Sequence, residues 1–385
     1  MDTVLFFVYS TRYICQNRID GARQYAEERG GWRIQVIERN NRPIDVKGVI
    51  DFWKPVGIIA ECAGGVPEVS RETVGDMPLV FMDEDPNGDK GDGLYVNVNS
   101  TRIGEIAARE MLSIGFPCYA FVGWQKRRYW SEERRLAFER IISAHGKECI
   151  SFTTPISGAP RRKRLQKWLK ALPKPCGIFA VHDPVAEEIL ELAAIEGISV
   201  PDEISVIGVD DDPIICERTS PKLTSIHTDF NAGGYLCAEL LGKAISDSRL
   251  KSMRLRYEPM YVTYRMSTCR MPGASPRVRK ALEFIRGNAD DTDLDVSAVI
   301  AGMGCSRRLA ELRFREETGR SIYSEILAAR LERVENMLRN PLQKIESIAA
   351  KCGWSSESAL RNVFKRYHDG LSMSEWRQRE LLKSS

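Results

Sequence analysis

Four histidines in 385 residues, ten cysteines of which no two form a Cys-x-x-Cys pair, and no long apolar run: these are what the sequence has least of. A membrane-spanning helix needs about 20 consecutive apolar residues, and no stretch approaches that. Scattered histidines and cysteines give no zinc-ligand spacing, so a structural metal is excluded and no cofactor is expected. Cys15, Cys62, Cys118 and Cys216 read as reduced thiols rather than a disulfide framework. Neither a phosphate-cradling glycine loop nor a nucleophile elbow occurs, which removes the common nucleotide-binding and hydrolase signatures. Asp83-Glu84-Asp85-Pro86-Asn87-Gly88 starts like a calcium loop, but Leu94 stands where the closing Glu belongs, so it reads as a turn.

A chain of this length fits two or three domains, and 43% hydrophobic with 28% charged residues suits a globular protein. Val4-Leu5-Phe6-Phe7-Val8-Tyr9 follows an acidic Asp2 and is too short for an export signal; it reads as a buried first strand, with a cytoplasmic location and no membrane partner expected. Net charge is only +3, yet from Ala274 onward 20 lysines and arginines face 16 acidic residues. A mild basic bias at one end suits a nucleic-acid module carried by a neutral partner domain, although a solvated face gives the same count.

Over the first 270 residues apolar strands alternate with helices. Gly57-Ile58-Ile59-Ala60, Pro78-Leu79-Val80-Phe81-Met82, Ala120-Phe121-Val122-Gly123, Gly177-Ile178-Phe179-Ala180-Val181 and Ile204-Ser205-Val206-Ile207-Gly208-Val209 are the clearest strands. Continuous apolar strands between helices predict parallel sheets covered on both faces, and their number predicts two doubly wound lobes facing a cleft. Ligands bind at the carboxyl ends of such strands. That singles out residues 10–13, Asn99, residues 124–134, His182-Asp183 and Asp210-Asp211-Asp212. The small, Gly- and Pro-containing residues 265–276 predict the linker, which divides the chain into domains 1–271 and 272–385.

The remainder reads as one helix-turn-helix unit written twice, at residues 294–314 and 344–364. Each has a short helix, a turn glycine (Gly304, Gly353), a serine placed to cap a second helix (Ser306, Ser356) and a closing Phe (Phe314, Phe364). Such a pair inserts its second helix into the DNA major groove. Residues 322–338 carry Ile326, Leu327, Leu331, Val334 and Leu338 on one stripe, predicting a helix between the two units that stops at Asn340-Pro341. On the reading helices, Arg308, Arg361 and Asn362 are the base-contact candidates, since Arg pairs with guanine and Asn with adenine. Arg307, Glu311, Arg315, Glu357, Ser358 and Lys365 flank them; a solvent-facing helix surface is the bland alternative.

Ile348-Ala349-Ala350-Lys351-Cys352-Gly353-Trp354 through Phe364, followed by Leu371-Ser372-Met373-Ser374-Glu375-Trp376, resembles the AraC-type DNA-binding domain. Met373 and Trp376 replace that family's usual Pro and Tyr. In the first unit Ala310 replaces its core Leu, with leucines at Leu309 and Leu312 instead; either the helix packs rotated or Leu312 faces DNA. Phe179-Ala180-Val181-His182-Asp183-Pro184 with residues 197–210 resembles the effector domain of lactose- and galactose-repressor proteins. Sensor first and AraC-type unit last resembles the xylose-operon type of bacterial regulator over essentially the whole chain.

The resemblance implies a two-lobed, periplasmic-binding-protein-like α/β domain followed by an all-α domain with two helix-turn-helix units. It implies a homodimeric, non-enzymatic transcription regulator that binds an operator and a sugar (xylose or a relative) and contacts RNA polymerase as an activator. It places Arg134 and Asp210 on the sugar. The family's Asn-Asp pair becomes His182-Asp183 here, and Asp183 is equally placed to cap the helix starting at Pro184; Asn99 stands at a family Asp or caps the next helix. Tyr13 and Trp130 are stacking candidates at strand ends. The competing reading is a sugar receptor or sugar-processing enzyme whose tail makes protein contacts.

Overall fold

The computed structural model describes residues 2–9, 13–38, 44–62, 69–85, 93–124, 128–154, 156–270, 274–338 and 345–383. Residues 10–12 and 125–127, the tip of the expected turn at 86–88, linker residues 271–273, the Asn340-Pro341 stop and Lys344 lie outside the described residues.

The strands are β1 (Asp2–Val8), β2 (Trp32–Glu38), β3 (Gly57–Glu61), β4 (Leu79–Met82), β5 (Leu94–Val98), β6 (Cys118–Val122), β7 (Cys149–Phe152), β8 (Cys176–Ala180), β9 (Ile204–Asp210), β10 (Thr224–Thr228), β11 (Met253–Tyr257) and β12 (Pro259–Thr263). The α-helices are α1 (Tyr13–Tyr25), α2 (Val46–Trp53), α3 (Arg71–Val74), α4 (Ser100–Ile114), α5 (Tyr129–Ala144), α6 (Gly158–Ala171), α7 (Asp183–Glu196), α8 (Pro213–Cys216) and α9 (Phe230–Ser246). In the C-terminal third they are α10 (Pro276–Gly287), α11 (Val296–Met303), α12 (Arg307–Thr318), α13 (Ile322–Leu338), α14 (Ile348–Lys351), α15 (Glu357–Tyr367) and α16 (Met373–Lys383).

Two six-stranded sheets form, ordered β11-β5-β4-β3-β1-β2 and β12-β10-β9-β8-β6-β7. β1 pairs in parallel with β2 and β3, and β6 with β7 and β8. All seven residues of β9 are buried, which is why Ile204, Val206, Ile207 and Val209 do not alternate with exposed polar residues. The chain divides into two compact units, residues 1–102 with 228–259, and residues 103–227 with 260–385. The first holds the first sheet; the second holds the other sheet and the C-terminal helices.

In the first unit α1 lies against α9 at backbone distance. A Cβ added at Gly21 would sit 1.9 Å from the Asn231 carbonyl oxygen, and one at Gly234 would sit 1.9 Å from that of Arg18. Glycine at both positions is therefore required by close approach and not by turn geometry.

The C-terminal helices form two cores. One takes Val278, Leu282, Val299, Ala310, Phe314 and Ile326; the other takes Leu331, Val334, Ile348, Leu360, Phe364 and Trp376. Helix α13 gives its first half to one and its second half to the other, so it sets the two helix-turn-helix units on a common spine. Gly304 (φ 61°) and Gly353 (φ 70°) are left-handed at the two turns. Ser356 caps α15, accepting from the Ala359 amide at 3.2 Å, whereas Ser306 at the start of α12 makes no side-chain cap bond, contrary to expectation.

Candidate effector site and nucleic-acid interface

In the second sheet the strand order reverses at β7-β6-β8, so the carboxyl ends of β6 and β8 open the crevice where doubly wound sheets hold ligands. β6 leads to Trp124, and β8 leads to His182. Their rings meet with centroids 4.5 Å apart, and the ring of Trp130, in the first turn of α5, lies 6.0 Å from that of His182. Arg134 is one helical turn beyond Trp130 and buried; its guanidinium carbon lies 5.0 Å from the Trp130 ring centre, and Nη1 donates to the Val181 carbonyl at 2.5 Å. Aromatic faces beside a buried guanidinium fork are what a sugar's C–H faces and paired hydroxyls require. The structure thus brings Trp130, Arg134 and His182 together, and adds Trp124.

His182 is the N-cap of α7: its backbone is extended and its Nδ1 accepts from the Val185 amide at 3.2 Å. This corrects the placing of the cap at Asp183. Accepting at Nδ1 leaves the ring proton on Nε2, a donor. Enclosure of the ring, and then the charge of Arg134, push its pKa down to about 3, so it is neutral at physiological pH.

Asp183 begins α7 with its carboxylate fully buried, accepting from Ser225 Oγ at 2.6 Å and from the Asp212 amide at 2.8 Å. Burial, and then the charge of Asp210, hold it well above the usual carboxylate range. A Cβ at Gly208 would meet its Oδ1 at 2.2 Å, so the glycine in β9 makes room for it. Asp183 braces the loop after β9. Asp210, which ends that strand, is 8% exposed and has φ 106°; Asp211 follows with φ 52°. Consecutive left-handed residues that are not glycine mark a backbone held by its surroundings, a condition that clusters at ligand sites.

The first unit positions its candidates separately. Tyr13 opens α1, half-buried, with its carbonyl accepting from Asn17 Nδ2 at 2.8 Å. Asn99 caps α4, accepting from the Arg102 amide at 3.0 Å, and donates to Glu258 Oε1 at 2.8 Å. The capping alternative for Asn99 is the one observed. The sequence reading missed a buried triad here: Arg18 pairs with Glu61 at the end of β3 and with Asp83 just beyond β4, and its guanidinium packs over Phe230 at 5.0 Å. Nothing in the spacing 18, 61, 83 announces it; only strand order brings those ends together. Arg161 was missed similarly, buried on α6 with Nη2 donating to the Gly123 carbonyl at 3.2 Å.

On the C-terminal helices Arg307, Arg308, Glu311 and Arg315 of α12, and Ser358, Arg361, Asn362 and Lys365 of α15, are exposed, with Glu357 half-buried. Arg307 pairs with Glu311 at 3.0 Å and Arg361 with Glu357 at 2.9 Å, each along its own helix. Ala310 is fully buried beside Phe314, while Leu309 and Leu312 are 36% and 52% exposed. The first reading helix is therefore not rotated: a smaller residue occupies the core position, and Leu312 remains on the outer face.

Residues 97–268 match the periplasmic binding protein-like domain, and residues 300–379 match a helix-turn-helix domain. The xylose operon regulatory protein of Escherichia coli K12 is 28% identical over 360 residues, 91% of each chain. The chain is a DNA-binding transcription regulator that is similar to the xylose operon regulatory protein along nearly its whole length. A solved structure described as the xylose-binding transcription activator xylR shares the fold of this regulator, with a TM-score of 0.61, 24% identity, and coverage of 98% of this chain and 97% of that one. A LacI family regulator from Enterococcus faecium with bound ribose matches with a TM-score of 0.57 and 20% identity, over 69% of this chain and 98% of its own. The fold class read from the sequence is the one found. No helix among the described residues is long and apolar enough to cross a membrane.

For the regulator's DNA contacts, Arg361→Ala is expected to weaken operator binding roughly 5- to 150-fold, the range for one base-reading side chain. Lys365→Ala is expected to weaken all sequences alike and to lower the salt slope by about one. Gel shifts at two salt concentrations separate them; full-strength operator binding by Arg361→Ala would remove it from the reading set.

Proposed function

We propose that this regulator senses a sugar, xylose or a related pentose, and responds by changing how its two helix-turn-helix units engage an operator, activating carbohydrate-catabolic genes. The observation that carries the reading is the cluster of Trp124, Trp130, Arg134 and neutral His182 at the switch point of the second sheet. It offers two aromatic faces, a guanidinium fork and one imidazole N–H, a neutral-polyol chemistry with no nucleophile activated by a base. Asp210 supplies the carboxylate for a hydroxyl pair, Asp183 holds the loop that carries it, and Tyr13 and Asn99 are the first unit's candidates. Arg308, Arg361 and Asn362 read bases, with Arg307, Glu311, Arg315, Glu357, Ser358 and Lys365 around them.

The domains are residues 1–271 for sensing and 272–385 for DNA. The working form is a cytoplasmic homodimer that contacts RNA polymerase, without catalysis. The test is thermal unfolding with a panel of pentoses and hexoses. A binding sugar at about 100 times its Kd stabilises by roughly 2.7 kcal/mol, a rise of several degrees. If no sugar raises the melting temperature, the sensor reading fails.

A further inference from the structure

Two adjacent carboxylates end β9, and they face different tasks. Asp210 belongs to the candidate sugar set. Asp211 has its Oδ1 accepting from Arg265 Nη1 at 2.9 Å and its Oδ2 accepting from Thr263 Oγ1, in β12, at 2.7 Å. The same Oδ2 lies 3.4 Å from His227 Nδ1. Burial alone would raise the pKa of Asp211, but His227, Arg265 and Thr263 together hold it down to about 2, so it is charged at every physiological pH.

Two of these partners, Arg265 and His227, lead toward the C-terminal helices. Arg265 opens the linker and is buried; beyond Asp211 it donates through Nε to Glu217 at 2.7 Å and through Nη1 to the Leu223 carbonyl at 2.9 Å. His227 lies flat on Tyr261 of β12, rings parallel to within 1° and centroids 4.6 Å apart. Tyr261 in turn packs against the second helical core, the one containing Leu360 and Phe364 of the second reading helix. One side chain is therefore tied to the linker's first residue and, through two stacked rings, to the core under α15.

We propose that Asp211 is the transmission residue that couples the sugar site to the second helix-turn-helix unit. Asp210 and Asp211 share a peptide in a left-handed stretch that neither side chain favours, so a shift that seats Asp210 on a ligand must rotate Asp211 as well. Because Asp211 is anchored to three elements, that rotation changes the linker and the Tyr261 contact together. Coupling between two sites runs through an element with two arrangements that both sites bias, and the Asp210-Asp211 corner takes that part here. The proposal rests on the sugar-responsive reading given above.

The experiment uses the full chain, D-xylose as probe, and an operator duplex selected from random sequences by the wild-type protein. Melting temperature with and without D-xylose reports sugar binding; operator Kd with and without it reports coupling. Asp211→Asn keeps the shape but loses the charge that holds Arg265. Its melting temperature is expected to rise with D-xylose as in the wild type, while the sugar's effect on operator Kd falls from the range of about 5- to 150-fold typical of coupled sites to under about twofold. Tyr261→Ala is expected to lose the effect in the same way, and Tyr261→Phe, which keeps the stack, to retain it. Should Asp211→Asn not fold, the Tyr261 pair decides. Coupling unchanged in both Asp211→Asn and Tyr261→Ala overturns the proposal. If D-xylose and the other pentoses leave the wild-type melting temperature unmoved, the sensor reading itself fails, and this inference falls with it.

Discussion

Arg134→Ala is expected to weaken sugar binding by about 1.5–3 kcal/mol, roughly 10- to 150-fold, the cost of removing a charged hydrogen-bond donor from an enclosed site. The guanidinium has two duties. It donates to the Val181 carbonyl, fixing the end of β8 beside His182, and it lies under the Trp130 ring. Its loss therefore orphans a buried carbonyl and removes the support beneath an aromatic wall, so the melting temperature without sugar also falls. Arg134→Lys retains charge but not the planar fork, and is expected to recover stability more than affinity. Calorimetric titration with the stabilising sugar, alongside melting curves, reads both quantities. If Arg134→Ala melts lower yet binds sugar as tightly as the wild type, the residue is a brace and the reading of it as a ligand contact is wrong.

The second large effect is at the turn of the second helix-turn-helix unit. Gly304→Ala and Gly353→Ala are the same substitution at the same point of a repeated motif, yet they differ in surroundings. Around Gly304 a Cβ meets open space, so alanine costs only the left-handed strain, about 1–2 kcal/mol. At Gly353 a Cβ would lie 2.3 Å from the Ala289 carbonyl oxygen and 2.9 Å from Arg330 Nε. That arginine, on α13, donates through Nη2 to the Asp291 and Leu294 carbonyls at 2.6 and 3.1 Å, clamping the α10–α11 connection. Overpacking there adds about 1–3 kcal/mol and strikes both units at once. Urea unfolding followed by helix signal should place Gly353→Ala below Gly304→Ala by more than about 1 kcal/mol. Equal losses would show that the contact with the first unit is slack.

The alternation of apolar strands with helices, and the doubled Gly-Ser-Phe pattern, were legible because periodicity and caps are local. Ile322–Leu338 was read to the residue, since its apolar stripe and the following Asn-Pro are both local signals. Helix α9 was not legible: the adjacent Gly233 and Gly234 argue locally against a helix, and they are there for packing, Gly234 against Arg18 of α1 and Gly233 against Tyr257 and Met82. Helix α6 was hidden by its polar, basic composition, and β7 by being half-exposed at an edge. In the site, Arg134 and His182 could be found because each stands at or near a strand end. The cap at His182 instead of Asp183 could not, because burial of Asp183 against Ser225 depends on β10 lying next to β9. The Arg18 triad and the Asp211 hub are likewise products of strand order, joining residues 65 and 54 positions apart.

The interleaving of the two units also sets a timetable for synthesis. Strand β5 ends at Val98, but its edge partner β11 and the helix α9 packed across α1 emerge only after the whole of β6 to β10. At 5–20 residues per second the ribosome needs roughly ten to thirty seconds to cover that interval. During it the amino-terminal sheet is a five-stranded fragment with an open β5 edge and an uncovered α1, ready to pair with the wrong strand. The sheet that is begun first waits for its last strand until five strands of the other have been made, and a nascent chain stalled before Tyr257 presents that edge to the cell.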